Sequence, residues 1–327
     1  MRIIVTGCAG FIGINFTKYW LDKYTEDTVI GVDCLTYAAN LSALEELKKH
    51  DRFVFYKTNI CDRQAVETIF QKELPDIVIN FAAESHVDRS IASSRIFLET
   101  NVLGTQTLLD ISLQYGVKRF HQISTDEVYG DLPLDTDEVF YENSPLQPSS
   151  PYSASKAAAD MLVLSYFRTH GLSVSISRSA NNYGKYQHTE KLIPKVIEYA
   201  LSDKLIPIYG DGQNVRDWIY VDDHCRAIDS IVHNASPGSV YNVGGGTLLS
   251  NMTLVREILC RLGKTEDLIT FVADRKGHDR KYALNCDKLV LELGWKPQTN
   301  FSDGLNETIG WYKDLMKGTP SSDNAEA

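Results

Sequence analysis

Six short apolar runs rich in isoleucine and valine recur through the first half of the chain, at residues 2–6, 28–32, 51–57, 75–81, 118–123 and 172–177. They are near-continuous rather than alternating, which predicts strands buried on both faces. Amphipathic stretches of helical period lie between them, at residues 14–24, 64–73, 93–115 and about 153–170. The 93–115 stretch reads as one long helix carrying Thr100 and Asn101. Strand alternating with helix predicts an α/β fold built on a doubly wound parallel (Rossmann) sheet. After Arg178 the pattern weakens. Asn181 to Gly184 reads as a turn, 192–201 as a helix, 206–210 as a short strand and 215–221 as a longer one. Asp222 is placed as the cap of a helix running to about Asn234. Residues 240–243 read as a strand, and 254–262, 286–293 and 303–316 as helices. The expected organisation is a dinucleotide-binding domain over 1–178 that carries the chemistry. A smaller mixed α/β substrate-binding domain follows over 179–317, with some segments rejoining the first. The polar residues 318–327 are expected to be a disordered tail.

Composition adds exclusions. The chain has 327 residues, 43% hydrophobic and 23% charged, an ordinary globular balance. A net charge of −10 argues against a nucleic-acid partner or an anionic membrane, although a local basic pocket for phosphate stays open. No run is long enough to span a bilayer, and the N-terminus does not read as a signal peptide. The six cysteines are scattered without paired spacing. They read as free thiols in a reducing cytoplasm rather than as a disulfide frame or a metal site.

Three stretches carry candidate chemistry. The first strand runs into Gly7-Cys-Ala-Gly10-Phe-Ile-Gly13 and then a helix. Gly7 suits a tight turn, Gly10 a close approach of backbone to a pyrophosphate, and Gly13 close packing of helix on strand. Asp33 ends the next strand about 20 residues on, where a carboxylate meets ribose hydroxyls and repels a 2′-phosphate, favouring NAD over NADP. The second stretch is Ser124-Thr125-Asp126-Glu127-Val128-Tyr129-Gly130, at the end of the fifth strand. Adjacent carboxyls on a strand point to opposite faces, so both serve one substrate only if the strand has ended. Alone, they read best as a solvated strand end. The third stretch changes that: Tyr152 and Lys156 are four apart, on one helical face, as a hydroxyl acid/base and a cation beside it.

With Asp33-Cys-Leu-Thr-Tyr-Ala, Ala82-Ala-Glu-Ser-His-Val-Asp-Arg-Ser90, Asn181-Asn-Tyr-Gly, Glu190-Lys-Leu-Ile-Pro194, Asn214-Val-Arg216-Asp-Trp and Gly277-His-Asp-Arg280-Lys-Tyr282, the chain resembles the extended short-chain dehydrogenase/reductase family over nearly its whole length. Within that family it is similar to the nucleotide-sugar 4,6-dehydratases that act on dTDP-glucose. The resemblance implies an NAD-dependent lyase of deoxysugar biosynthesis. Tyr152, helped by Lys156 (which lowers its pKa), would take the 4-hydroxyl proton during C4 oxidation. Glu127 would remove the C5 proton, Asp126 would protonate the departing 6-hydroxyl, and Thr125 would hold the C4 oxygen. The same resemblance assigns Phe11, Ile12, Asp33, Leu35, Thr36, Ile60, Ala82, Ala83, Ser85, Thr100, Tyr152, Lys156 and Asn182 to NAD. Asn59 stands where the family usually has an aspartate near the adenine, and an amide still hydrogen-bonds there. A nucleotide-diphosphate sugar would meet Ser85, Thr125, Asn181, Lys191, Leu192, Pro207, Tyr209, Arg216, Asn251 and His278. Arg216 suits a diphosphate; a surface salt bridge with Asp217 is its plain alternative, and His278 reads equally well as structural. A homodimer is implied, pairing helices around 101–115 and 153–169. Residues 185–189, 246–250 and Lys276 depart from the family pattern in the substrate half, so a UDP-sugar stays open. A 4-epimerase or decarboxylase on the same fold is disfavoured by Asp126. A non-catalytic nucleotide-sugar-binding protein is disfavoured by the intact set of five catalytic residues.

Overall fold

The computed structural model describes residues 1–318. Twelve strands are described: β1 Arg2–Thr6, β2 Thr28–Asp33, β3 Phe53–Lys57, β4 Ile77–Asn80, β5 Arg119–Thr125, β6 Val174–Ser179, β7 Asn181–Tyr183, β8 Ile206–Tyr209, β9 Val215–Tyr220, β10 Ser239–Val243, β11 Leu248–Ser250 and β12 Ile269–Val272. Seven form one sheet in the order β10-β6-β5-β4-β1-β2-β3, and every pair in it is parallel. The apolar runs split by residue parity, as a pleat requires. Ile3, Val5, Val29 and Ile79 face one layer, with Phe16 and Trp20 of the Phe11–Lys23 helix and Ile228 and Val232 of the Val221–Asn234 helix. Ile4, Ile30, Val78, Phe120 and Ile176 face the other, with Val66, Leu108 and Val163 of three further helices. Helices on both faces explain why these strands have no polar side.

The chain leaves the sheet after β6 and returns to it as β10. Its second half otherwise makes a three-stranded sheet, β11-β9-β7, and a parallel β8–β12 pair. Their core gathers Tyr183, Ile197, Ile208, Trp218, Met252 and Leu305. The Val221–Asn234 helix packs on the first core, so part of the second half completes the layer begun by residues 11–23.

Four expectations need correction. Asn181–Tyr183 is a strand rather than a turn, because it pairs with β9 some 37 positions away by register Asn181↔Trp218; local composition carries no trace of that partner. The 93–115 stretch is not one regular helix. It contains Arg95–Phe97, a π-helical turn over Leu98–Gly104 and Thr105–Gln114, and it follows a separate helix, Val87–Ala92. Asp222 does not cap its helix; Tyr220 holds that position without a side-chain cap, and Asp222 sits in the first turn. A short helix, Leu41–Leu47, started by Asn40 accepting from the Ala43 amide, lies where none was expected. Gly318 ends the last helix, Phe301–Gly318; the rest of the expected tail lies outside the described residues. No described helix is long and apolar enough to cross a membrane, no group of three metal-ligating side chains occurs among the described residues, and all six cysteines are free.

Candidate active site

β5 delivers the acidic triplet to the carboxyl edge of the sheet and then stops. Thr125 is still extended, and its hydroxyl accepts from the Glu127 amide at 3.3 Å. That bond starts a single 3₁₀ turn, Asp126–Tyr129, which ends at Gly130 with φ 91°. A Cβ on Gly130 would lie 2.3 Å from the Gln147 carbonyl oxygen, so the turn requires glycine. With the strand ended, both carboxyls face the same cavity. Asp126 is 1% exposed, and its Oδ2 has no partner while Oδ1 accepts from the Thr125 hydroxyl at 3.2 Å. Burial, then the Glu127 charge, pushes its carboxyl well above the ordinary range. Burial also raises Glu127, but Arg216 and Lys191 pull it back.

Tyr152 and Lys156 lie on the Pro151–His170 helix. Pro151 opens it, and Ser150 caps it in a reciprocal box with Ser153, both bonds at 3.0 Å. Tyr152 therefore sits in the first turn, against Thr125. The Lys156 ammonium donates to the Ile123 carbonyl at 2.6 Å, and burial pulls it down to about 8, so it is charged at neutral pH. The expected lowering of Tyr152 by Lys156 is not what the structure shows. Burial, then the Glu127 charge, pushes the phenol up instead, and the Lys156 ammonium is turned to the Ile123 carbonyl.

The cavity that holds these groups has a volume of about 370 Å³. Its far end is built to receive a dinucleotide. Gly7 has φ +66°, and a Cβ on Gly13 would lie 2.2 Å from the Gly7 carbonyl oxygen. The Phe11–Lys23 helix starts at Gly10 with no side-chain cap, leaving its first amides for a phosphate. Asp33 accepts from the Ala9 amide at 3.0 Å and the Leu35 amide at 2.8 Å, tying the glycine turn to the end of β2. Of the residues assigned to the cofactor, Gly7, Gly10, Phe11, Ile12, Gly13, Asp33, Thr36, Asn59, Ile60, Ala82, Ala83, Ser85, Thr100, Tyr152, Lys156 and Asn182 line this cavity. Leu35 does not. Its φ of 59° turns the side chain away, against the first core. Asn59 spends its carbonyl on the Cys61 amide at 2.9 Å, leaving its NH₂ without a protein partner. The π-helical turn has a purpose here. Asn101 brackets Glu84, accepting from its amide at 2.9 Å and donating to its carbonyl at 3.0 Å, and also reaches Ser155 at 2.8 Å. It joins the Ala82–Ser85 loop to the Pro151–His170 helix.

A second cavity, of about 320 Å³, adjoins the first. Of the residues assigned to the sugar nucleotide, Ser85, Asn181, Lys191, Leu192, Pro207, Tyr209, Arg216, Asn251 and His278 line it; Thr125 lines only the first. Glu127 lines both and stands at the seam. Arg216 is buried, stacked on Tyr282 at 4.2 Å, and donates to the Asp279 and Val215 carbonyls, each at 2.8 Å. It forms no ion pair among the described residues, so the salt bridge with Asp217 is excluded. Asp217 accepts from the Thr247 amide instead. His278 pairs with Asp274 at 2.6 Å and meets Tyr209 edge-on. Sequence reasoning missed Arg275, which pairs with Asp88 at 3.1 Å across this cavity, and Glu190, which accepts from the Tyr37 hydroxyl at 3.2 Å. Both lie inside or beside the quoted motifs, but their partners come from distant loops.

Known proteins agree with this geometry. The sequence profile of the family described as GDP-mannose 4,6 dehydratase matches residues 4–308. The chain is 49% identical to the dTDP-glucose 4,6-dehydratase of Haemophilus influenzae over 333 residues, covering 95% of this chain and 98% of that one. It is 48% identical to the low-salt glycan biosynthesis protein Agl12 of Haloferax volcanii, with 95% and 98% covered. Among solved structures it superposes on DesIV, the dTDP-glucose 4,6-dehydratase of Streptomyces venezuelae with NAD bound, at a TM-score of 0.93 and 45% identity, covering 97% of this chain and 98% of that one.

Proposed function

Because the chain belongs to the GDP-mannose 4,6 dehydratase family, within the extended short-chain dehydrogenases/reductases, we propose that it is an NAD-dependent lyase converting dTDP-glucose to dTDP-4-keto-6-deoxyglucose and water. The observation that carries this reading is the paired carboxyls Asp126 and Glu127 facing Tyr152 where the two cavities meet. The relatives' names supply the thymidine nucleotide.

Removal of water across C5 and C6 is hard in glucose because the C5 hydrogen is not acidic, and a ketone at C4 makes it so. NAD supplies that chemistry by accepting the C4 hydrogen with its electron pair and returning it to C6. The chain's own residues do the rest. Tyr152 takes the 4-hydroxyl proton, with the Lys156 ammonium one turn along the same helix, held on the Ile123 carbonyl. Thr125 holds the C4 oxygen. Asp126, whose protonated form burial favours, gives its proton to the leaving 6-hydroxyl. Glu127, held nearer ionisation by Arg216 and Lys191, removes the C5 proton and later restores one. Two carboxyls with separated proton affinities make one acid and one base. Arg216, free of any protein carboxylate, takes the diphosphate.

We propose that the protein is a cytoplasmic homodimer. Six free thiols support the first. Leu98, Leu103 and Met161, about half exposed on the helices expected to pair, support the second.

The test is to incubate the protein with NAD⁺ and, separately, dTDP-glucose, UDP-glucose and UDP-N-acetylglucosamine, and to weigh the products. Loss of one water from dTDP-glucose is expected, and loss from none of the three rejects the reading. Glu127→Gln is expected to stop after C4 oxidation, with reduced cofactor accumulating; normal turnover would remove Glu127 as the base.

A further inference from the structure

Behind the Ser179–Asn182 wall of the cofactor cavity lies a hydrogen-bond chain that the proposed chemistry does not use. His224, on the Val221–Asn234 helix, is fully buried. Its Nδ1 lies 2.8 Å from the Asn182 side-chain oxygen, Oδ1. The Asn182 NH₂ donates to the Ala180 carbonyl at 3.0 Å and to the Ser179 hydroxyl at 3.3 Å. The Ser179 hydroxyl donates to the Ser124 carbonyl at 3.4 Å, one residue before Thr125.

The proton positions follow from the partners. Ala180 O only accepts, so the Asn182 nitrogen faces it and the Asn182 oxygen faces His224. That oxygen only accepts, so the imidazole hydrogen is on Nδ1. Burial pulls the imidazole down to about 3, so it is neutral and has one N–H. Nε2 is then a bare acceptor, and it has no partner. A side chain present only to fill the core would be apolar and would leave no such atom unsatisfied. The hydrogen bond that the imidazole makes among the described residues is the one from Nδ1–H to Asn182.

Asn182 does not reach out to a ligand with its side chain, since both N–H bonds and the oxygen are engaged. It stiffens a wall: Ser179, Ala180, Asn181 and Asn182 all line the cavity at the end that holds Tyr152 and Lys156, and Asn181 also lines the second cavity. We propose that His224 is a positioning residue for this end of the cofactor cavity, fixing the Asn182 carboxamide and through it the wall against which the nicotinamide lies. The identity of that ligand rests on the reading given under Proposed function.

The test uses two polar replacements of the full chain. In His224→Asn the amide nitrogen reaches the place of Nδ1; in His224→Gln it reaches the place of Nε2. Affinity for NAD is titrated by calorimetry, with turnover measured beside it. His224→Asn is expected to stay within about 2-fold of the parent, and His224→Gln to lose about 10-fold in NAD affinity and in kcat, with KM for dTDP-glucose unchanged. Equal NAD affinity in the two variants would overturn the proposal. Loss of folded protein in both would overturn it too, since His224 would then be a packing residue. If the parent binds NAD but releases no water from any sugar nucleotide, the functional reading fails while the NAD titration still decides the role of His224.

Discussion

Asp126 carries two burdens at once: one carboxyl oxygen has no partner, and the group is shut away beside another carboxyl. Its folded pKa lies above its unfolded value, so the native state holds a proton that the unfolded chain releases. Its contribution therefore favours folding least as pH rises through that interval. Asp126→Asn removes the penalty. It is expected to raise Tm at about pH 8 by more than at about pH 4, while dehydration slows by roughly 10²–10⁴ with C4 oxidation retained. Thermal melts at the two pH values and the absorbance of reduced cofactor check it; a variant less stable than its parent at the higher pH would contradict the raised pKa. At this scale identity and spacing picked out four groups that the structure brings to one cavity: Asp126, Glu127, Tyr152 and Lys156. They did not reveal those whose role depends on backbone angle or a remote partner. Leu35 turns inward on a positive φ. Arg216 is available only because Asp217 is satisfied by the 247 amide.

The Pro151–His170 helix shows how an element governs those residues. Its start is over-determined by proline and the Ser150–Ser153 box, and Tyr152 is in the turn that the box secures. Ser150→Ala is expected to destabilise the protein by about 1 kcal/mol, read from urea unfolding. It is also expected to lower kcat more than KM for dTDP-glucose, because fraying reaches Tyr152 first. Ser150→Asp, another good cap, is expected to recover most of the stability. An alanine variant with full kcat would show that the tertiary contacts of Tyr152 suffice. Elements were legible where burial dictates composition: the central strands on both faces of the sheet, and the glycine turn. They were not legible where pairing or helix type is set from afar. β7 looks like a turn until β9 pairs with it. The π-helical turn has no local signature, and the bracketing of Glu84 by its Asn101 spans 17 positions.

Across the whole molecule, the second half is fastened to the first by Asp229, which accepts from the Tyr19 hydroxyl at 2.7 Å and the Tyr24 hydroxyl at 2.8 Å, and pairs with His233 at 2.9 Å and with Lys23. These partners hold the Asp229 carboxyl far below its ordinary range, and Asp229 in turn raises His233. The carboxylate's contribution is present above its unfolded pKa and lost as pH falls. The imidazolium's is present below its unfolded pKa and lost as pH rises through the folded value. The fastening is therefore strongest between about pH 4 and about pH 6.5. Asp229→Ala is expected to cost about 3 kcal/mol there and to flatten the pH profile of Tm. The opposite face of the molecule poses the assembly question. Leu98 is 51% exposed, Leu103 54% and Met161 48%, on helices that already pack their inner sides against the second core layer. Two copies meeting through these helices would cover all three from water and leave both cavities open, since neither cavity is lined by them. Leu103→Arg places a charge in that contact, where burial without a partner is unfavourable. It is expected to convert a dimer of the parent into a monomer by sedimentation while NAD affinity stays within about 2-fold, as Leu103 touches neither cavity. A parent that sediments as a monomer would reject the dimer, and a Leu103→Arg variant that stays dimeric together with Met161→Arg would move the interface elsewhere.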